Sequence, residues 1–293
     1  MSQTRSRSRS LADGVPLAGR ESGFTIVEIL IVALLGTLLL GAVYQMMIVQ
    51  EQGFRVQRAV VSTQDNMRTT LDVLATELRE VNATTVGAEG SDVATIAPES
   101  IRFRAFRKIG IVCAATLGSA LDVHEIGYSF AAGDSILVFV DGDPAAAGDD
   151  SWTTMNVAAT AAVSAACADN WGYTRQSLTG LSSASFGGIR RGAPVRAFVW
   201  TTYGIVQDAA GEWVLARRET GSTWVPLLGP LASPTNGGLR FRYYDANGAL
   251  TTNPAQVARI EVTVRGESRT VAGATATGTY TDTLTTQIYL RNN

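Results

Sequence analysis

Residues 23–28 read Gly23-Phe24-Thr25-Ile26-Val27-Glu28, and residues 29–49 continue as ILIVALLGTLLLGAVYQMMIV. From Phe24 to Val49 the only charge is Glu28. About twenty apolar residues suffice to cross a bilayer, so this run is long enough to do so. Before it stand residues 1–23, MSQTRSRSRSLADGVPLAGRESG, polar and rich in arginine (Arg5, Arg7, Arg9, Arg20). They lack apolar periodicity and are expected to be disordered. A basic flank on the N-terminal side keeps that end in the cytoplasm and sends the C-terminal bulk across.

Three readings of the run compete. A cleaved secretory signal has an apolar region of about 7–15 residues ending in small residues. This run is longer and ends in the bulky Tyr44-Gln45-Met46-Met47. A plain single-span anchor accounts for everything except Glu28, because a carboxylate within a span costs roughly 2.5–3.5 kcal/mol on insertion scales. The third reading explains both the boundary and the charge. Gly23-Phe24-Thr25-Ile26-Val27-Glu28, at a polar-to-apolar boundary behind a basic leader, resembles the processing site of type IV prepilins.

That resemblance implies cleavage after Gly23 by a membrane-embedded prepilin peptidase and N-methylation of the new N-terminal residue, Phe24. It also implies an assembly role for Glu28, whose carboxylate pairs with the N-terminal amine of a neighbouring subunit; a negative charge in a low-dielectric place wants such a partner. The chain departs from many family members in having no proline between Pro16 and Pro98, so Gly36 and Gly41 are the only weak points of the span. Each costs about 1 kcal/mol relative to alanine in a helix.

Beyond the span, Val60, Met67, Leu71, Leu74, Leu78 and Val81 recur at helical steps, with Gln64 interrupting. Arg55, Arg58, Asp65, Arg68, Asp72, Glu77, Arg79 and Glu80 fill the polar positions. This predicts one helix from Phe24 to about Val81 whose second part packs an apolar stripe on its own domain. Asn82 and Gly87 mark the stop.

The remainder alternates as strands do. Strands are expected over 101–106, 135–140, 196–206, 213–218, 239–244, 257–265 and 280–290, with turns at Asp208-Ala209-Ala210-Gly211-Glu212 and Asp245-Ala246-Asn247-Gly248. The Ala-rich stretch from Val157 to Ala166 fits a short helix or a variable loop. The fold class is therefore α+β: a long N-terminal helix, first transmembrane and then amphipathic, packed on a large antiparallel head as in pilins. The organisation is a leader over 1–23, a span over 24–49, an amphipathic continuation over 50–86 and an exported head over 87–293.

Two further patterns narrow the resemblance. Arg68, Leu71, Asp72, Leu74, Glu77, Leu78 and Arg79, and then Phe241, Tyr243, Tyr244, Asp245 and Gly248 followed by 257–264, are similar to PilW-like minor pilins and J-type pseudopilins of type II secretion. The implied function is a structural subunit of a type IV pilus or related pseudopilus, seated near the tip. Its implied partners are other pilins or pseudopilins, the prepilin peptidase and the bacterial inner membrane. A membrane-tethered receptor or adhesin that is never polymerised is the alternative.

Chemistry is sparse. The formal net charge is -2 and no basic run lies in the folded part, so nucleic acid is not an expected partner. No catalytic residue is assigned: there is one histidine, His124, in what reads as a strand start, and neither GxSxG nor a P-loop occurs. No cofactor is expected, and two cysteines without a histidine cluster assign no metal site. A membrane-anchored hydrolase would need a catalytic cluster that the sequence lacks. The acids of Asp141-Gly142-Asp143 and Asp149-Asp150 read as turn residues rather than a calcium loop. Trp152, Trp171, Trp200, Trp213 and Trp224 read mostly as core, with an adhesive aromatic patch among them as the alternative. Cys113 and Cys167 allow two free thiols or one disulfide; export to an oxidising compartment favours the disulfide. It would close a loop of roughly fifty residues and contribute on the order of 4 kcal/mol.

Overall fold

The computed structural model describes residues 23–83, 90–116, 120–146, 148–163, 167, 171–182, 186–268, 271–272 and 277–290. The leader up to residue 22 and Gly87 lie outside the described residues. The chain divides into two compact units, Met1–Gln52 and Gly53–Asn293.

Helix α1 spans Ile26–Leu78 and runs unbroken through Gly36 and Gly41. The part within the first unit is apolar and bare: Ile26, Leu30, Leu34, Leu38, Leu40, Val43 and Met47 are all more than half exposed. This helix is long and apolar enough to cross a membrane, and none of its most apolar stretch is buried.

In the second unit the helix changes character. Thr63, Met67, Thr70, Leu71, Leu74, Ala75 and Leu78 are buried at helical steps, while Arg58, Asp65, Arg68 and Asp72 face out. Burying Met67, Leu74 and Leu78 contributes about 1.5–3 kcal/mol each. The two buried threonines are tolerated because each hydroxyl donates back to the helix, Thr63 to the Ala59 carbonyl and Thr70 to that of Asn66. The helix stops at Leu78, three residues before the expected Val81; Val81 is still fully buried, its N–H donating to the Leu78 carbonyl in a closing turn.

The strands of the head are β1 (Val93–Ala97), β2 (Ser100–Thr116), β3 (Ala120–Ile126), β4 (Ser135–Val140), β5 (Ser151–Asn156), β6 (Ala159–Ala161), β7 (Thr174–Thr179) and β8 (Pro194–Gln207). They continue as β9 (Trp213–Glu219), β10 (Val225–Leu231), β11 (Leu239–Tyr244), β12 (Arg259–Glu267), β13 (Val271–Ala272), β14 (Thr277–Gly278) and β15 (Thr281–Tyr289). All pairings among them are antiparallel, and all but β13 and β14 belong to one sheet. The Ala-rich stretch supplies β6 rather than a helix, pairing with β7.

Two long strands split this sheet into lobes. The start of β2 pairs with β1 and its end with β3, while β8 lies along most of it. On its other side β8 meets β4 at one end and β9 at the other. One core lies between α1 and the lobe of β9 to β12 and β15, with Phe103, Tyr203, Leu215, Leu239, Phe241, Ile260 and Val262 buried there. A second core, with Val112, Leu121, Ile136, Met155, Leu178 and Val195, fills the lobe of β3, β4, β5 and β7.

Helix and sheet meet closely at Gly266 of β12. A Cβ there would stand 2.5 Å from Thr63 Cγ2 and 3.0 Å from Met67 Cγ. Polar clamps reinforce the contact. Arg107 Nη1 reaches Glu77 at 2.9 Å, Asn66 Nδ2 donates to the Gly229 carbonyl at 2.7 Å, and Gln64 Nε2 donates to Asp282 Oδ2 at 3.2 Å. Gln64, the interruption in the apolar stripe, is thus the residue that ties α1 to β15.

The two aspartate–glycine turns share one geometry. Asp208 Oδ1 accepts from the N–H groups of Ala210 and Glu212, and Asp245 Oδ1 from those of Asn247 and Ala249. Gly211 and Gly248 both have φ of 80°, a left-handed conformation that glycine adopts without strain. Ahead of the second turn, Tyr243 is buried and its hydroxyl donates to the carbonyls of Ala97 and Ser100, so burial raises its pKa.

Candidate functional site

The first candidate is the start of α1. Gly23 and Phe24 are exposed and precede the helix, and nothing stands within 4 Å of a Cβ placed at Gly23. Thr25 caps the helix: its hydroxyl oxygen accepts from the Glu28 N–H at 3.3 Å. Thr25-Ile26-Val27-Glu28 has the S/T-x-x-E spacing of a capping box, a helix-start signal carried by the sequence itself. Glu28 lies in the first helical turn, where its negative charge meets the positive end of the helix dipole. It is exposed, and the chain itself offers it no cationic partner among the described residues.

The second candidate is in the head. Cys113 and Cys167 form a disulfide with Cα atoms 5.3 Å apart, closing a separation of 54 residues. His124 lies inside β3 rather than at its start, since Leu121, Asp122 and Val123 before it are buried parts of the same strand. It is fully buried, and Trp171 stacks on its ring at 4.7 Å between centroids. The sulfur atoms and an imidazole nitrogen lie within 4.8 Å of one another. Sequence spacing could not bring these three together, because β2, β3 and the segment before β7 meet only through the sheet.

The tryptophans depart from expectation. None of the five is fully buried; Trp152, Trp200, Trp213 and Trp224 are half-buried and Trp171 is 47 % exposed. Three lie beneath arginines, Trp152 and Trp200 in strands and Trp224 just before β10. Arg104 stands 5.0 Å from the Trp200 ring centre, Arg218 4.7 Å from that of Trp224, and Arg196 5.6 Å from that of Trp152. Guanidinium planes cover the rings much as core side chains would. Arg104 also pairs with Asp92 at 3.3 Å. Burial pushes the Asp92 carboxyl upward against the opposing pull of the Asn82 N–H and Arg104.

Three acids of the loop after β4 have partners within the chain. Asp149 Oδ2 accepts from the Asp143 N–H at 2.6 Å, Asp143 Oδ1 from the Ala145 N–H at 3.0 Å, and Asp141 pairs with Arg190 at 3.3 Å.

Compared with known proteins, the chain matches no family model, no curated protein and no solved structure.

Proposed function

We propose that this protein is a minor pilin or pseudopilin, a structural subunit inserted into a type IV pilus or type II secretion-like filament through α1. The observation that carries the reading is the bare apolar half of α1, bearing one carboxylate in its first turn behind an exposed Gly23-Phe24. An apolar surface of that extent needs lipid before assembly, and neighbouring apolar helices after it. The prepilin peptidase cuts after Gly23, and methylated Phe24 then stands one residue before the Thr25 cap, so cleavage leaves the helix start intact. The head lies outside the cytoplasm. Glu28 pairs with the N-terminal amine of a neighbouring subunit.

A plain membrane anchor carrying a receptor or adhesin head is the second reading, and the place of Glu28 in the first helical turn favours it, because the helix dipole gives that carboxylate a local task. Mass spectrometry of the N-terminal peptide from the native membrane fraction separates the two. The filament reading expects a peptide beginning at N-methylated Phe24; a retained leader establishes the anchor. Glu28→Gln sharpens the test, since glutamine also serves at the third helical position of a capping box but carries no charge. Normal cleavage with poor filament incorporation is expected, and normal incorporation would remove the charge-pair role.

A further inference from the structure

Cys113, His124 and Cys167 are 4 %, 0 % and 1 % exposed. Both imidazole nitrogens of His124 are buried without a hydrogen-bond partner among the described residues. Buried imidazoles ordinarily satisfy at least one nitrogen, so a pair left bare beside two sulfur atoms asks for a ligand.

Contacts besides the sulfur–sulfur bond hold the three residues. Cys113 sits at a bulge in β2: Val112 pairs with Val123 and Ala114 with Asp122, which leaves Cys113 as the extra residue. Bulges re-aim side chains in this way. His124 is held in register from both sides, opposite Ile111 in β2 and Arg175 in β7. Arg175 in turn donates from Nη1 to the Cys167 carbonyl at 2.6 Å, fixing the backbone of the third residue. Trp171 covers one face of the imidazole.

We propose that in the dithiol state Cys113 Sγ, Cys167 Sγ and one nitrogen of His124 form a binding site for a zinc-class ion, and that disulfide formation abolishes it. Two thiolates and a neutral imidazole suit a borderline-soft ion and not calcium or magnesium, which take oxygen ligands. Opening the disulfide takes two electrons and two protons from a dithiol reductant, which is itself oxidised to a disulfide. Binding the ion then displaces the two thiol protons to solvent, while the imidazole contributes a lone pair. Three protein ligands leave the fourth tetrahedral position to water. The oxidised chain has no thiolate to offer, so the site is gated by redox state and holds the β2–β3–β7 corner together when the disulfide does not. This inference is independent of the filament reading.

The test uses the full chain in detergent micelles, labelled with nitrogen-15 at histidine. The chain has one histidine, so the label reports on His124 without any mutation. The protein is reduced with excess dithiol, freed of reductant without air and titrated with Zn2+, or with Co2+ for its visible spectrum. The reduced chain is expected to take up a single ion, to shift one imidazole nitrogen on Zn2+ binding and to develop thiolate-to-cobalt charge-transfer absorption; the oxidised chain does none of these. His124→Ala is expected to weaken Co2+ binding at least about tenfold. Imidazole signals unmoved by saturating Zn2+ would overturn the proposal, even if the substituted chain misfolds. Loss of the near-ultraviolet circular dichroism signal on reduction would overturn it too, since the site needs a folded frame.

Discussion

The two halves of α1 are one helix by backbone and two different objects by surface. Up to Gln52 its apolar residues point in every direction and none of the most apolar stretch is buried. From Thr63 onward its buried residues gather on a stripe that the sheet covers, while Phe54, Val56 and Val61 before it stay exposed. The same side-chain chemistry thus acts through different solvents: the second half finds its apolar environment within the chain, and the first must find one outside it. A leucine's contribution is therefore set by what surrounds its part of the helix rather than by helix propensity.

The largest expected effect comes from truncating one leucine in each half. Leu74→Ala opens a cavity where Leu74 is fully buried and should destabilise the head by about 2–5 kcal/mol in chemical denaturation. Leu34→Ala removes a side chain that is 62 % exposed and should leave the head's unfolding midpoint unchanged. Equal losses from both would dissolve the distinction between the halves.

Gly266→Val tests the contact that makes the second half different. The added side chain meets Thr63 and Met67, so helix and strand must separate. A loss of about 1–3 kcal/mol is expected. Met67→Ala in the Gly266→Val background should recover part of it, since the methyl groups would enter the space that Met67 vacates. Strictly additive losses would mean that the two positions do not meet.

The smallest effect is one of pH. The Thr283 N–H and Gln64 hold the Asp282 carboxyl below its ordinary value. A depressed carboxyl contributes stability above its unfolded pKa, and that contribution is lost as pH falls through the folded pKa. Asp282→Asn should therefore flatten the acid limb of the stability–pH curve slightly and leave the neutral midpoint little changed. Denaturant melts at neutral and acid pH check this. An unchanged acid limb would show that the tie between Gln64 and β15 does not depend on charge.

Much of the architecture was legible because it is written in short-range periods. The stripe of Met67, Leu71, Leu74 and Leu78 repeats as a helix does, and 135–140 and 239–244 coincide with β4 and β11. The Asp208 and Asp245 turns were marked by residues whose side chains bond to their own backbone. Strands β1, β5, β6, β7 and β10 were not foreseen; β6, for one, is alanine and threonine over three residues and carries no distinctive period. The tryptophans differ from expectation because ring size suggests a core, whereas Trp152, Trp200 and Trp224 are covered by arginines of β8, β2 and β9.

By itself, the sequence determined the apolar helix, its change from bare to striped, the alternating strands and the tight turns. Each of these follows from residues near one another in the chain. Only the tertiary structure decided that β2 and β8 would each serve two lobes, that Gly266 would lie beneath Thr63 and Met67, and that His124 would stand beside Cys113 and Cys167. Those meetings depend on which distant strands pair and in what register. A one-residue slip there would turn a side chain to the opposite face of the sheet without altering any local pattern.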